Sequence, residues 1–107
     1  MAALSQGAVV WADLPPPAGR RPVAILTRDA ALRSLTSITV APITTVVRGI
    51  DTEVVLEPSD GVPRICAITL DNIMTVPKSL LGRTITRMQR GRLLQVFQAI
   101  RRAFDMT

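Results

Sequence analysis

Residues 19–26 of this 107-residue chain are Gly19-Arg20-Arg21-Pro22-Val23-Ala24-Ile25-Leu26, two arginines followed by a proline and a run of apolar side chains. Proline fixes its own φ and biases the residue before it toward an extended conformation. The apolar run from Pro22 to Thr27 is continuous, which is typical of a strand buried on both faces. The stretch therefore predicts a buried strand with Arg21 held at its mouth.

Other runs of apolar and β-branched residues indicate further strands. They predict strands at 8–12, 37–46, 52–56 and 63–70, with 72–76 extending the last of these or leading into another, and 83–88 adding a final one. Pro42 lies inside the 37–46 run, so it marks an edge, a bulge or the end of that strand. Between the strands we expect a stiff proline connector at 15–19, a loop or one helical turn at 28–34, a turn at 57–61, and a helical turn closed by Gly82 at 77–82.

The pattern becomes helical from Gln89 to Met106. Leu93, Phe97, Ile100 and Phe104 recur at helical spacing and form one apolar stripe, which predicts packing against the core. About five short antiparallel strands with one C-terminal helix predict a mainly β fold, a small antiparallel barrel with residues 1–107 as a single domain. A barrel this small would gain stability from dimerisation.

The charge of the chain points to an anionic partner. Its formal net charge is +5, and every basic residue except Lys78 is an arginine. Such a balance favours nucleic acid as the partner, and it also suits an acidic protein. The arginines at 83, 87, 90 and 92 form a looser basic run, which is either a solvated face or part of an RNA path.

Several kinds of site are excluded by residues that the chain lacks. It has no histidine, which rules out an imidazole base or ligand, and one cysteine cannot form a disulfide framework or a zinc cluster. That cysteine, Cys66, lies in an apolar run and is predicted to be a buried core residue. Residues 1–7 lack the basic start of a signal peptide, and no apolar run is long enough to span a bilayer. We therefore expect a cytoplasmic chain with no membrane contact.

A second informative stretch is Val40-Ala41-Pro42-Ile43-Thr44-Thr45. Successive residues of a strand alternate between its faces, so Thr44 and Thr45 cannot both point inward. One hydroxyl is therefore expected to remain available at the end of this strand.

Taken together, these stretches resemble the MazF/PemK family of toxin endoribonucleases. The resemblance lies in the order and spacing of segments over nearly the whole chain, at residues 7–14, 19–23, 40–45, 52–56 and 71–76, followed by the C-terminal helix. It implies an SH3-like antiparallel barrel similar to that of CcdB, in a homodimeric toxin of a toxin–antitoxin pair, an mRNA interferase. The partners that it implies are single-stranded RNA and an acidic, partly disordered antitoxin segment.

The same resemblance assigns catalytic roles to two residues. The family's catalytic arginine precedes the proline of the second strand and falls on Arg21, and its catalytic threonine falls on Thr44. From its position beside Arg21, Arg20 either contacts a flanking phosphate or only solvates the loop, and Thr45 is expected to bind RNA. No metal and no cofactor are expected.

Three parts of the chain depart from the family pattern. Ala8 replaces the usual acidic residue after the first glycine, and residues 15–18 form a short proline-rich loop without the glutamate that many members carry. Asn72 and Met74 replace a glutamine and a basic residue. These changes bear on the RNA sequence that is preferred, and they leave Arg21 and Thr44 in place.

The residues themselves limit the chemistry. Without histidine or a metal cluster, the simplest cleavage of RNA is attack by the substrate's own 2′-hydroxyl on the adjacent phosphorus. A guanidinium and a hydroxyl aimed at the phosphate oxygens would stabilise the charge that develops there. Two alternatives stay open. One is a CcdB-like toxin that binds a topoisomerase without catalysis, and the other is a non-catalytic RNA-binding barrel, which the scarcity of aromatic side chains disfavours.

Overall fold

The computed structural model describes residues 4–106, which form seven β-strands and two α-helices. In chain order these are β1 (Ala8–Asp13), β2 (Arg20–Ile25), α1 (Asp29–Leu32), β3 (Ser37–Thr44), β4 (Glu53–Leu56), β5 (Cys66–Thr69), β6 (Met74–Pro77), β7 (Leu81–Arg87) and α2 (Arg90–Ala103). Single 3-10 turns cover Pro58–Asp60, Leu70–Asn72 and Lys78–Leu80.

The strands form one antiparallel sheet in the order β4-β5-β3-β2-β1-β7, with β6 paired to β3. β3 pairs with three strands. On one edge its first half pairs with β6 and its last two residues pair with β5, and its other edge pairs with β2. This change of partner curls the sheet into a half-barrel, and α2 packs against it as the C-terminal helix. The predicted mainly β, barrel-like fold with a C-terminal helix is confirmed.

Pro42 lies where β3 changes partners. It is buried opposite Val23 of β2, and on its other side it falls between the residues paired with β6 and those paired with β5. A proline has no N–H to offer a ladder, so it is tolerated where one neighbouring strand gives way to the next. Its carbonyl accepts a hydrogen bond from Thr69 Oγ1 at 2.9 Å. Pro42 therefore lies inside β3 and not at its end, and it is paired on one side only.

Two buried clusters pack against the sheet, one on each face of β1, β2 and β3. The barrel cluster includes Val10, Ala12, Val23, Ile25, Ile38 and Val40. The helix cluster includes Val9, Ala24, Ala41 and Ile43 together with Val96 and Ala99 of α2. The central strands are thus covered on both sides, as the continuous apolar run after Pro22 predicts, and every second residue belongs to the same face.

Two boundaries differ from the sequence-based expectation. β2 begins at Arg20, so both arginines lie within the strand, opposite Asp13 and Ala12 of β1. The strand continues through Pro22, which lies opposite Trp11 of β1 although it has no N–H to donate. Gly82 lies inside β7, where it does not close the preceding helical turn.

The apolar face of α2 is also rotated from the predicted stripe. Val96 and Ala99 are the buried residues of the helix, with Ile100 and Ala103 packed beside them. Phe104, predicted to continue the stripe, follows the last helical residue and is 62% exposed. The stripe was wrong there because Phe104 lies past the end of the helix, where the helical periodicity no longer holds.

Cys66 is buried at the start of β5, as predicted, and this burial raises the pKa of its thiol. Among residues 4–106 no helix is long and apolar enough to cross a membrane.

Candidate functional site

Arg21 is half-buried in β2 and is held by the loop that precedes it. Its Nε donates a hydrogen bond to the carbonyl oxygen of Ala18 at 3.3 Å. The loop is itself closed by backbone bonds, from Ala18 N to Pro15 O at 3.1 Å and from Leu14 N to Gly19 O at 3.1 Å. Within residues 4–106 the two terminal nitrogens of Arg21 have no hydrogen-bond or ion-pair partner. The guanidinium is therefore tethered at one point, with its fork of donors unoccupied.

Thr44 is the last residue of β3 and is also half-buried. Its Oγ1 accepts a hydrogen bond from the backbone N–H of Val46 at 3.1 Å. A hydroxyl that accepts one bond still has a hydrogen to donate. Thr44 therefore keeps a donor, and the neighbouring Thr45 is exposed, so both hydroxyls at this strand end are available.

Arg21 and Thr44 each lie two residues beyond the last residues paired between β2 and β3. β2 and β3 pair antiparallel, with Val23 opposite Pro42. If this register is continued by two residues on each strand, Arg21 falls across from Thr44. By the alternation of strand residues, both belong to the barrel-cluster face, on which Val23 and Val40 also lie.

Arg20 and Thr45 belong to the other face of the sheet. The Arg20 guanidinium lies 5.1 Å from the centre of the Trp11 ring and 3.6 Å from an Asp13 carboxylate oxygen, and its side chain is 60% exposed. Arg20 and Arg21 are neighbours in the chain, but alternation directs them to opposite faces. The structure therefore does not bring the four predicted site residues into one cluster.

A cavity of about 570 Å³ opens on this second face. It is lined by Val9, Trp11, Pro22, Ile43, Thr44, Thr45, Val62, Pro63, Arg64, Cys66, Arg83, Thr84 and Ile85. The lining is mostly apolar, and two arginines and three threonines supply its polar groups. Thr44 and Thr45 bring the end of β3 to this cavity, whereas Arg21 is not part of its lining.

Glu53 is a residue near the site that the sequence reasoning missed. It begins β4, and its Oε1 accepts hydrogen bonds from the backbone N–H groups of Arg48 and Gly49, at 3.0 and 3.1 Å. These bonds tie down the loop of residues 45–52, which follows Thr44. The one signal in the sequence was Gly49, which marks a turn five residues after Thr44 but does not show what holds that turn.

The predicted basic run at 83, 87, 90 and 92 does not act as one surface. Arg83 lines the cavity, whereas Arg92 is bound to Asp60 through Nε at 3.0 and 3.2 Å and lies 3.8 Å from a Glu57 oxygen. The hydrogen bond from Arg92 holds the pKa of the Asp60 carboxyl below its ordinary value, and the same bond raises the pKa of Arg92. Arg92 is thus a structural residue at the base of α2.

A comparison with known protein families gives one match over most of the chain. A sequence model of the PemK-like, MazF-like toxins of type II toxin–antitoxin systems matches residues 5–104. The curated protein "Probable endoribonuclease MazF5" of Mycobacterium tuberculosis is 41% identical over 102 residues, covering 94% of this chain and 93% of that protein. "Endoribonuclease MazF3" of the same species is 42% identical over 86 residues, covering 80% and 84% of the two chains.

Solved structures show the same architecture. The Mycobacterium tuberculosis toxin MazF-mt6 superimposes with a TM-score of 0.87 at 38% identity, covering 94% of this chain and 98% of that chain. A mycobacterial endoribonuclease in complex with its cognate antitoxin superimposes with a TM-score of 0.88 at 27% identity, covering 98% of each chain.

Proposed function

The chain belongs to the PemK-like, MazF-like toxin family of type II toxin–antitoxin systems, and we propose that it cleaves single-stranded RNA with Arg21 and Thr44 holding the scissile phosphate. The prediction of an endoribonuclease toxin is confirmed at the level of the family, since the curated relatives are endoribonucleases. The observation that supports the finer proposal is the pairing of Val23 with Pro42, which, continued by two residues, would set Arg21 across from Thr44, each with donors to spare.

The reaction uses the substrate's own nucleophile. The 2′-hydroxyl attacks the adjacent phosphorus, the bond from phosphorus to the 5′-oxygen breaks, and the products are a 2′,3′-cyclic phosphate and a 5′-hydroxyl. The proton lost by the 2′-hydroxyl passes to solvent, and the departing 5′-oxygen takes one up. The charge on the non-bridging oxygens increases during this step, so donors aimed at them lower the barrier.

Arg21 is the principal donor. Its terminal nitrogens can bind two phosphate oxygens as a fork, and the bond from Nε to Ala18 O fixes the plane of the guanidinium. A guanidinium stays protonated at any physiological pH, so Arg21 acts by charge stabilisation and not as a base. Thr44 adds a hydrogen bond from its hydroxyl to the same phosphate.

No step of this mechanism calls for a metal ion. The chain contains no histidine, and residues 4–106 contain no group of three histidine, cysteine or carboxylate side chains suited to hold an ion. We propose that the reaction proceeds without metal or cofactor, on the donors of Arg21 and Thr44.

The flanking nucleotides would contact the second face. Arg20 supplies a cation there, and the cavity beside Thr45 has room for a nucleobase next to the half-buried Trp11. A base can stack on an aromatic ring regardless of its identity. Hydroxyls of Thr45 and Thr84 offer hydrogen bonds that could distinguish one base from another.

We propose an acidic antitoxin and a second copy of the chain as the protein partners, with the cytoplasm as the site of action. The net charge of +5 favours an acidic segment, and a homologous endoribonuclease has been solved with its cognate antitoxin. β4, β6 and β7 each pair with one neighbouring strand in the described chain and so leave an edge, and the apolar cavity also leaves surface that a second copy would bury.

The proposal is tested by incubating the purified chain with a long single-stranded RNA in EDTA and mapping the new ends. We expect discrete fragments with 2′,3′-cyclic phosphate and 5′-hydroxyl ends. Binding without cleavage would support a non-catalytic RNA-binding barrel instead, and cleavage that needs added Mg²⁺ would contradict the mechanism. Cleaved complexes of supercoiled DNA that form only with gyrase present would support the CcdB-like alternative.

A further inference from the structure

The loop of residues 45–52 buries little of its apolar surface. Val46 is 66% exposed, and Val47 and Ile50 are exposed as well. A loop with so little buried apolar surface needs polar contacts to keep one conformation. Those contacts come mainly from Glu53, at the start of β4.

The Glu53 side chain binds the middle of this loop. Its Oε1 accepts from two successive backbone N–H groups, of Arg48 at 3.0 Å and Gly49 at 3.1 Å, and its own N–H donates to Ile50 O at 3.1 Å. Gly49 has φ +74°, a conformation that glycine adopts without strain and that helps successive N–H groups converge on one acceptor. Bonds to an ionised acceptor are roughly twice as strong as neutral ones.

The other Glu53 oxygen has no such role. Oε2 is buried and has no hydrogen-bond partner among the described residues. A buried oxygen without a donor costs stability, so this glutamate is a poor choice for stability alone. All the hydrogen bonds that the carboxylate does make go to the loop that follows Thr44.

The start of that loop sets the Thr44 side chain. The N–H of Val46 donates to Thr44 Oγ1 at 3.1 Å, and only Val47 separates this N–H from the segment that Glu53 holds. While Val46 keeps its place, the Thr44 oxygen is occupied and the hydroxyl hydrogen must point elsewhere. If the loop moves, the bond is lost and the hydroxyl can rotate.

From these contacts we propose that Glu53 is a positioning residue for catalysis, which fixes the loop of residues 45–52 so that the Thr44 hydroxyl donates toward the scissile phosphate. This inference rests on the proposed function, because it takes its effect through Thr44. Glu53 touches no substrate, and its contribution should be seen in kcat and vanish when the Thr44 hydroxyl is absent.

A double-mutant cycle tests this, with kcat and KM measured for RNA cleavage by Glu53→Ala, Thr44→Val and the double variant. We expect Glu53→Ala to lower kcat about 10-fold with KM within about 2-fold, and the double variant to be no slower than Thr44→Val. Glu53→Gln keeps an acceptor for the two N–H groups and should retain activity within about 3-fold of the parent.

Asp51→Ala is the matched control. It removes an exposed carboxylate two residues away that makes no side-chain hydrogen bond in the described chain, so it should leave kcat unchanged. If Glu53→Ala fails to fold, Gly49→Ala replaces it in the cycle. This variant strains the φ +74° turn, meets no atom within 4 Å, and should show the same dependence on Thr44.

The outcomes separate this inference from the proposed function. Additive losses in the cycle, or equal activity of Glu53→Ala and Asp51→Ala, would overturn the positioning role while the Arg21 and Thr44 site stands. Full activity of Thr44→Val would remove Thr44 from the site, and the inference would fall with it.

Discussion

Arg21 and Arg92 occupy opposite kinds of surroundings in the same small fold. Arg92 binds both Asp60 oxygens, lies near Glu57 and donates to Gln95 Oε1 at 3.2 Å, so it is occupied on every side. Arg21 makes one bond, to the Ala18 carbonyl, and its terminal nitrogens have no partner within residues 4–106. No carboxylate neutralises it.

This difference distinguishes a structural arginine from one available to a ligand. An ion pair with several hydrogen bonds uses up the donors of a guanidinium and ties two elements together, here the turn Pro58–Asp60 and α2. A guanidinium fixed at a single nitrogen keeps its fork for an anion that arrives later. The charge of a residue does not tell a structural arginine from a ligand-binding one, because all twelve arginines of the sequence carry the same charge.

The comparison predicts the largest effect for Arg21→Ala. Removal of the principal donor to the phosphate should lower kcat for RNA cleavage by about 10³-fold, the scale seen when a donor to a developing oxyanion is lost. The melting temperature should stay the same, because Arg21 contributes one long hydrogen bond to the fold. Arg28→Ala, which removes an exposed arginine of equal charge, serves as control and should cleave normally. Normal cleavage by Arg21→Ala would end its assignment to the site.

The second effect falls on stability, at Gly61 beside the Arg92 ion pair. Gly61 has φ +96°, and a β-carbon there would overlap Thr86 Oγ1. Gly61→Ala should therefore lower the free energy of unfolding by about 3 kcal/mol, from left-handed strain together with overpacking. Urea denaturation measures the change.

Gly91→Ala is the control for this glycine. Position 91 is helical, exposed, and open within 4 Å, so alanine should raise the free energy of unfolding by about 0.5–1 kcal/mol. Equal effects of the two substitutions would show that the contact between Gly61 and Thr86 does not constrain the turn. Cleavage per folded molecule should be unchanged in both.

The third and smallest effect is a pH dependence at Asp60. Arg92 holds the pKa of this carboxyl below its ordinary value of 3.8, so the folded state binds the proton less readily than the unfolded chain. The stability from the pair is therefore complete above pH 3.8 and is lost as the pH falls through the lower folded pKa. Asp60→Asn should lower the free energy of unfolding by about 2 kcal/mol at pH 7.

Denaturation of parent and Asp60→Asn from pH 7 down to pH 3 checks this sign. The gap between them should shrink at the acid end, whereas Asp51→Asn, at an exposed carboxylate, should follow the parent throughout. A gap that stays constant with pH would mean that the ionised Asp60 carboxylate does not stabilise the fold.

Most of the strands could be predicted from the sequence, because β-branched runs bounded by proline and glycine are a local signal. The start of β2 was misplaced because the sequence suggests that Pro22 opens the strand. In the structure the pairing with β1 continues two residues earlier, to Arg20 opposite Asp13. The helical face was misplaced for a related reason. The hydrophobic pattern assigns the large Phe104 to the buried face, whereas in the structure the small Ala99 is buried and Phe104 is exposed.

The candidate site could be predicted only in part. Arg21 and Thr44 follow from the family resemblance, but their shared face depends on the register of β2 with β3, which no local pattern specifies. Glu53 was missed because its role lies in binding two backbone N–H groups across a loop. The hydrogen bond from Arg92 to Asp60 joins residues 32 positions apart, so it could be seen only in the folded chain.

The most direct test of the shared phosphate is a crystal structure of the chain with an uncleavable RNA, in which a methoxy group replaces the attacking 2′-hydroxyl. The account predicts the scissile phosphate within hydrogen-bond distance of both the Arg21 terminal nitrogens and Thr44 Oγ1. A scissile phosphate bound on the Arg20 and Trp11 face, with Arg21 still free, would contradict it.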